Sequence, residues 1–555
     1  MDPRQTAGNP LDTRVAELLG RLTLEEKISL LSGRDMWHTR AIERLGVPSI
    51  RMTDGPHGVT VSGDLGGPAT CFPTAVAMAA TWNLDLIERV GTALGRETRA
   101  RGNHILLGPS VDLHRSPLNG RNYESYSEDP YLAGRLAAAY VRGVQSQGVG
   151  ACIKHCTANN QQTDQSSTSS EVDERALREL YLRPWELAVR EAPPWAIMTS
   201  YNLLNGEYTS ANRHLLTDII KNEWGYSGIV VSDWRGVHSA AAAPAGLDLE
   251  MPGPGTYLTS EGLGPLLISG ELSETDIDDK ARRLLRATLR ACEPPPPGVD
   301  PEGALDTPEH RLLAREVASE AVVLLKNEGD LLPLDPAHVR RIAVIGPNAC
   351  EARLGGGGSS STTPFYAISP IEGLRARCGD SVTLDYSEGC GLRGALPAVP
   401  PSSLAPPAGE SSGPGTDAGP AGGLRGAYYA SGDLTGPPAL ERQDDQLDFS
   451  WGWSSPGGQV PKDGWSARWV GHLIVPSTGR YRLGLTCEDG GTRLFLDDQC
   501  LIDTWELNDD DNFEAGYAAV SETAEVELVA GQSRQLCIEY CKVGNRAALR
   551  LEWQE

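Results

Sequence analysis

The sequence predicts a multidomain chain, α/β over its larger part and all-β at its end. Three observations carry this. Short apolar segments alternate with helix-like stretches over the first 290 or so residues. A Pro-rich break at 291–304 (ACEPPPPGVDPEGA) is followed by a fresh helix–strand alternation. From Leu424 onward, short stretches of alternating polarity separated by Gly turns take over. Strand–helix alternation implies a parallel sheet, and alternating short strands imply an antiparallel sandwich.

The totals bound what such a chain does. Its 555 residues allow three or four domains of about 150 residues, or fewer if one is a barrel of about 250. Forty-nine Lys and Arg stand against 74 Asp and Glu, a formal charge of −25. That excess opposes nucleic acid and anionic membrane surfaces and favours neutral or cationic ligands. No apolar run approaches the roughly 18 residues of a spanning helix. The opening MDPRQTAGNP has no apolar segment, so the expectation is a signal peptide absent or removed and a cytoplasmic protein. Eleven cysteines lie without CxxC spacing, which predicts reduced, mostly buried thiols. No Asn-x-Ser/Thr sequon occurs.

In chain order, 11–32 spaces apolar residues at helical intervals, with Thr23 and Glu26 placed for a capping box. Then come apolar segments that each end in polar residues. Ser49–Thr53 runs into Asp54-Gly-Pro-His57-Gly, and His104–Leu113 ends near Asp112 and His114. Ala151–Ile153 leads to Lys154-His155, Ala196–Ser200 to Tyr201, and Ile229–Val231 to Asp233-Trp234. Ala245–Met251, bearing Asp248 and Glu250, is a weaker sixth case. Functional side chains at strand C-termini fit the mouth of a closed (β/α)8 barrel, although an open doubly wound sheet obeys a similar rule. No GxGxxG or GxxxxGK[ST] follows a strand, which argues against dinucleotide or nucleotide binding.

Beyond the break, 308–326 reads as a helix and Arg341–Ile345 and Val382–Tyr386 as strands. Between these strands 354–361 (LGGGGSSS) reads as a flexible loop that lacks the Lys of a phosphate cradle. Residues 393–423 are of low complexity. The last part expects strands at Arg480–Thr486, Thr492–Leu496, Glu525–Val529 and Ala548–Trp553. It also carries Trp451, Trp453, Trp465, Trp469, Trp505 and Trp553, of which an exposed subset would suit stacking on sugars.

Asp233 invites two readings from its residues alone. It can cap the helix that follows. It can also serve as a carboxylate nucleophile beside an aromatic face. Lys154-His155 likewise reads as a Schiff-base lysine with a proton shuttle, which would leave Asp54, Arg121 and Asp233 unexplained. Arg115 and Glu124 are candidates for structural ion pairs.

Seven runs decide among these: TDGPHG (53–58), RNYESYSEDP (121–130), IKHCTANNQ (153–161), MTSYNLLNG (198–206), VVSDW (230–234), LLKNEGDLLPL (324–334) and LGGGGSS (354–360). With GWSARWVGHLIVPSTGRYRLGL (464–485) and EDGGTRLFLDD (488–498), the chain resembles family 3 glycoside hydrolases of the β-glucosidase type that carry an inserted PA14 domain. The resemblance implies a (β/α)8-like barrel at 1–290, a linker at 291–304, a partial α/β sandwich at 305–392, a linker at 393–423 and a PA14-like β-sandwich at 424–555.

It also implies retaining, exo-acting hydrolysis of a terminal β-linked sugar, with glucose foremost, by way of a glycosyl-Asp233 intermediate. A β-xylosidase or natural-product glycosidase of the same family is the alternative, as is a carbohydrate-binding protein with an incomplete site. Asp233 is then the nucleophile. Asp54, Arg121, Lys154 and His155 hold ring hydroxyls, Tyr201 lies close to the nucleophile, and Trp234 shapes the wall beside the reacting carbon. Charged groups orient a neutral polyol well, since their hydrogen bonds are about twice as strong as neutral ones.

Two departures stand out. Thr60 occupies a place after DGPHGV where the family often has a basic residue. The family's acid/base is a Glu beyond the PA14 insert, and no residue of 1–555 corresponds to it. The resemblance calls for no metal and no cofactor, and for a small glycoside partner with neither nucleic acid nor membrane. Calcium-binding PA14 domains tend to carry an Asp-Asp pair where Glu488-Asp489 stands here. Asp497-Asp498 falls elsewhere in the strand pattern, and the acidic run Asp509–Asp511 reads as a solvated loop.

Overall fold

In the computed structural model, residues 10–60, 67–335, 338–389, 396–407, 422–452, 454–488, 490–505, 520–542 and 547–555 are described. They fall into two units, Met1–Gly389 and Cys390–Glu555. The expectations at Asp489, Asp509–Asp511 and Trp453, and most of 393–423, lie outside the described residues.

The first unit is built on a parallel sheet. Strands β1 (Met52–Asp54), β2 (Ile105–Leu107), β3 (Gly150–Cys156), β4 (Ala196–Thr199) and β5 (Ile229–Val231) pair in sequence order. Single parallel bridges extend the layer, from Val231 to Leu249 and from Glu250 to Ser32. The weak segment at 245–251 therefore joins the layer without forming a regular strand. Every residue of β2 to β5 is buried, as expected of parallel strands covered on both faces. Such strands read as continuous apolar runs, and that is why they were visible in the sequence.

Helices return the chain between strands. Helix α1 (Leu84–Ala100) is capped by Asn83, whose side chain accepts from Leu86 N–H, and α2 (Pro130–Ser146) by Asp129 with Pro130 at its first turn. The two helices approach closely because Gly91 and Gly143 face the partner backbone. A Cβ at Gly143 would stand 2.1 Å from the Glu88 carbonyl oxygen. Near the start, the expected helix at 11–32 is broken into Pro10–Leu19 and Leu24–Leu30, and the Thr23/Glu26 capping box opens the second piece.

The rest of the unit holds α3 (Pro308–Glu320) and a two-stranded parallel sheet of β6 (Arg341–Ile345) and β7 (Thr383–Ser387). Helix α3 stops short of the expected residue 326. The run Val322–Leu325 that follows is exposed throughout.

The second unit is all-β and antiparallel in every pairing. One sheet contains Leu424–Tyr429, Leu440–Asp444, Ser466–Ile474, Gly490–Leu496, Gln499–Asp503 and Ser533–Lys542. The other contains Asp448–Gly452, Gly479–Glu488, Val520–Leu528 and Ala547–Gln554. A core drawn from both, with Leu424, Trp469 and Ile538 from the first and Leu483, Leu485 and Leu551 from the second, makes this a sandwich. The tryptophans correct an expectation. Trp465 and Trp469 are fully buried, Trp451 and Trp553 pack against the core, and Trp505 lies half-buried with Arg493 over its ring at 4.5 Å. Among the described tryptophans of this unit, none is exposed.

The ten described cysteines are all free, but Cys292, Cys350 and Cys500 are exposed, so burial is less general than expected. No described helix is long and apolar enough to cross a membrane.

Candidate active site

The C-terminal ends of the parallel strands bring together side chains that lie 100 and more residues apart. Asp233 follows β5 by two residues and is nine-tenths buried. Its Oδ1 accepts from the backbone N–H of Trp234 at 2.7 Å. Its Oδ2 is buried and has no hydrogen-bond partner among the described residues. The capping reading of Asp233 is not borne out: Oδ1 binds only the adjacent N–H, and the next helix, Ala242–Ala245, has Ala241 at its N-cap. The other oxygen is left bare, as a nucleophile requires.

Facing Asp233 Oδ2 at 3.8 Å is Nε2 of His155, which lies near the end of β3 and is joined to Lys154 by a cis peptide. Burial, and then the adjacent Arg121 guanidinium, hold the His155 imidazole well below its ordinary pKa. Its hydrogen bonds agree with a neutral ring. Arg121 Nη2 donates to Nε2 at 2.9 Å, so the proton resides on Nδ1, which donates to Asp112 Oδ2 at 2.9 Å. Asp112 also accepts from the His155 N–H and from Ser110, and burial pushes its carboxyl up to about 6.

Arg121 sits on a tight turn after β2. Burial opposes its charge, but Glu124, Asp233 and Asp112 together outweigh that cost and raise its pKa. Its Nε donates to Glu124, a carboxylate 1% exposed. Glu124 is therefore in an ion pair as expected, whereas Arg115 lies over the Tyr181 ring at 5.8 Å. Across the site Lys154 Nζ donates to Asp54 Oδ1 at 3.2 Å. Burial raises the pKa of Asp54, and Lys154 opposes the rise.

Trp234 is anchored by its Nε1, which donates to the Met36 carbonyl at 2.8 Å, and its ring packs against Trp37 at 5.4 Å. Tyr201 follows β4 by two residues and is half-buried.

Four contributors went unread in the sequence. Asp112 was noticed only as a strand end. His57, buried and with its pKa lowered to about 4 by burial, went unassigned, as did Trp37. The fourth is the 354–361 loop, expected to be flexible. It is pinned: Tyr123 OH donates to the Gly357 carbonyl, Thr60 Oγ1 to the Ser361 carbonyl, Ser360 Oγ to Glu124, and Thr362 Oγ1 to the Gly58 carbonyl at 3.0 Å. Thr60, where a basic residue was expected, is one of these anchors. The signal available was the motif's own Gly and Ser content, which suits close backbone approach as well as flexibility.

Each carboxylate near Asp233 has at least one partner. Asp54 pairs with Lys154, Asp112 with His155, and Glu124 with Arg121 and Ser360. Glu250 accepts the N–H groups of Thr256, Tyr257 and Leu258. Asp112 Oδ1 nevertheless has no partner among the described residues, and burial raises the pKa of both Asp112 and Asp54. Among the described residues there is no group of three or more His, Cys, Asp or Glu placed to hold a metal. In the sandwich, Asp497 is taken by Arg534 and by the Gln535 N–H at 2.7 Å.

Comparison with known proteins shows what the chain is similar to. Residues 12–287 match the glycosyl hydrolase family 3 N-terminal domain, and residues 420–555 match the PA14 domain. A β-glucosidase of Rhizobium radiobacter is 41% identical over 532 residues, covering 95% of this chain and 62% of that protein. Beta-glucosidase B of Emericella nidulans is 46% identical over 68% of this chain and 45% of its own length. The structure of a Kluyveromyces marxianus β-glucosidase in complex with glucose superposes with a TM-score of 0.80 at 33% identity, over 98% of this chain and 65% of that one. The chain therefore spans less than two thirds of each of these relatives. With both domains matched and similarity running over nearly its whole length, this chain belongs to glycoside hydrolase family 3 and carries a PA14 domain.

Proposed function

We propose that this protein is a retaining, exo-acting β-glycosidase that removes a terminal non-reducing β-linked sugar, glucose foremost, through a covalent intermediate on Asp233. The observation that carries the reading is the bare Asp233 Oδ2, buried at the strand ends opposite His155 and Arg121. A buried carboxylate oxygen without a partner is costly, and in a sugar pocket the anomeric carbon supplies what it lacks.

In this reading, Asp54, Lys154 and Arg121 hold ring hydroxyls, and the Trp234 ring backed by Trp37 lines one wall. His155, neutral and tied to Asp112, cannot drift or take up a proton as the sugar enters. Oδ2 attacks the anomeric carbon, the bond to the leaving oxygen breaks, and the glycosyl group is carried on Asp233. Water then displaces it from the opposite side, restoring the original configuration. A second carboxyl about 5–5.5 Å away assists both steps in retaining enzymes. Activated substrates, which need no proton donor, are therefore the right probe for the nucleophile alone.

The test is incubation with a dinitrophenyl β-glucoside, whose leaving group departs as an anion without a proton donor. The expected result is a burst of dinitrophenolate and a glucosyl mass on the peptide containing Asp233. Glucose binding with no adduct and no burst would favour the second reading, a carbohydrate-binding protein. Rapid cellobiose hydrolysis would mean that a carboxylate within residues 1–555 serves as acid/base.

A further inference from the structure

The 354–361 strap reaches the sugar pocket through one side chain. Ser360, 1% exposed, donates its hydroxyl to Oε2 of Glu124, while Arg121 Nε donates to Oε1. Glu124 is thereby held at both oxygens, by the pocket on one side and by a segment more than 230 residues away on the other. Arg121 extends the relay, with Nη2 on His155 Nε2 at 2.9 Å and a long contact to Ser359 Oγ at 3.5 Å. The strap itself cannot shift inward. A Cβ at Gly356 would stand 2.4 Å from the Tyr123 ring, and Tyr123 immediately precedes Glu124.

We infer that Ser360 is a positioning residue for the sugar pocket: it fixes Glu124, and through Glu124 the Arg121 guanidinium, in the attitude that meets His155. The inference rests on the sugar-binding reading of that pocket. The physical reason is that a carboxylate with no access to water keeps its charge only while both oxygens are satisfied. Glu124 is faced by Arg121 and Tyr123 on its own turn, by Lys154 and His155 from β3, by Asp54 at the end of β1 and by His57 after it. The cations among these keep its pKa low despite burial. Without the Ser360 hydroxyl the balance tips toward burial, Glu124 takes up a proton at higher pH, and Arg121 loses its counter-ion and its register on His155.

The experiment compares Ser360→Ala, Ser360→Thr and the unaltered chain in glucose titrations at pH 7 and pH 5. Melting curves confirm that each is folded. Ser360→Ala should bind glucose about tenfold more weakly at pH 7, with a further loss at pH 5, whereas Ser360→Thr, which keeps the hydroxyl, should stay within about threefold at both. Gly356→Ala should weaken binding in the same direction by displacing the strap.

A second readout does not depend on sugar. In 15N-histidine spectra, His155 should stay neutral down to pH 5 in the unaltered chain and in Ser360→Thr, yet begin to titrate in Ser360→Ala. Equal affinities for Ser360→Ala and the unaltered chain at both pH values would overturn the inference. So would an equal loss in Ser360→Thr. If the unaltered chain bound no glucose, the proposed function would fall, and the His155 titration alone would decide whether Ser360 positions Arg121.

Discussion

Arg121 Nη2 lies 2.9 Å from Nε2 of His155, and that same nitrogen lies 3.8 Å from Oδ2 of Asp233. One lone pair thus receives the guanidinium N–H, and no proton stands between His155 and the carboxylate. The imidazole acts as a neutral spacer, keeping the Asp233 oxygen bare while Arg121 supplies positive charge close by. Four expectations follow from this and from the surrounding ion pairs.

Asp233→Asn retains the volume and the acceptor for the Trp234 N–H, so the fold should persist. The amide cannot attack an anomeric carbon. Turnover of a dinitrophenyl β-glucoside should fall by at least a hundredfold, about 2.7 kcal/mol in the barrier. A smaller loss would remove Asp233 from the role of nucleophile.

Asp54→Ala leaves the Lys154 ammonium, 1% exposed, without its carboxylate. Breaking a buried pair from one side costs about 3–5 kcal/mol. Both melting temperature and kcat/KM should drop, and Asp54→Asn should recover part of the stability while kcat/KM stays low. Stability recovered together with full activity would make the Asp54 contact structural only.

Glu250 gathers three successive N–H groups, at 2.9, 3.0 and 2.7 Å, and so folds 256–258 back onto its own carboxylate. Glu250→Ala should cost about 3 kcal/mol or more, since buried amides would be left unpaired. Chemical denaturation measures this directly. A loss below about 1 kcal/mol would mean that water satisfies those amides.

Lys280, 3% exposed, lies 4.0 Å from Asp248, whose nearer partner is Lys221 at 2.6 Å. Burial, and then Lys221, lower the Lys280 pKa to about 7. The unfolded chain holds this proton up to its ordinary value of 10.5, so between pH 7 and 10.5 it binds more protons than the folded one. This group's contribution therefore makes stability rise with pH across that window, and below pH 7 the cost is fully present. Lys280→Met should raise stability at pH 7 by about 1–4 kcal/mol and flatten the rise. Denaturation midpoints at pH 7 and 9.5 measure both. Destabilisation by the substitution at pH 7 would show Lys280 to be charged and needed by Asp248.

The sequence by itself determined the parallel strands and the order of their polar ends. Ile229–Val231 is observed at the residues where its β-branched run placed it, because a fully buried strand has no polar face to blur its limits. Arg341–Ile345 is also observed at the expected residues, although each of them is half-buried or exposed. It also determined the side chains that end those strands, since Asp54, Lys154-His155 and Asp233 stand directly after their apolar runs. What it left open was pairing. The Asp112–His155, Lys154–Asp54 and Arg121–His155 contacts join residues 34 to 100 positions apart, and only closure of the strand layer brings them within hydrogen-bond reach. The same holds for LGGGGSSS. Its glycines signal backbone freedom, yet freedom and close approach have one composition. Only the packing of Gly356 against the Tyr123 ring, with the Ser360 hydroxyl on Glu124, turns a loop that reads as flexible into a fixed part of the pocket.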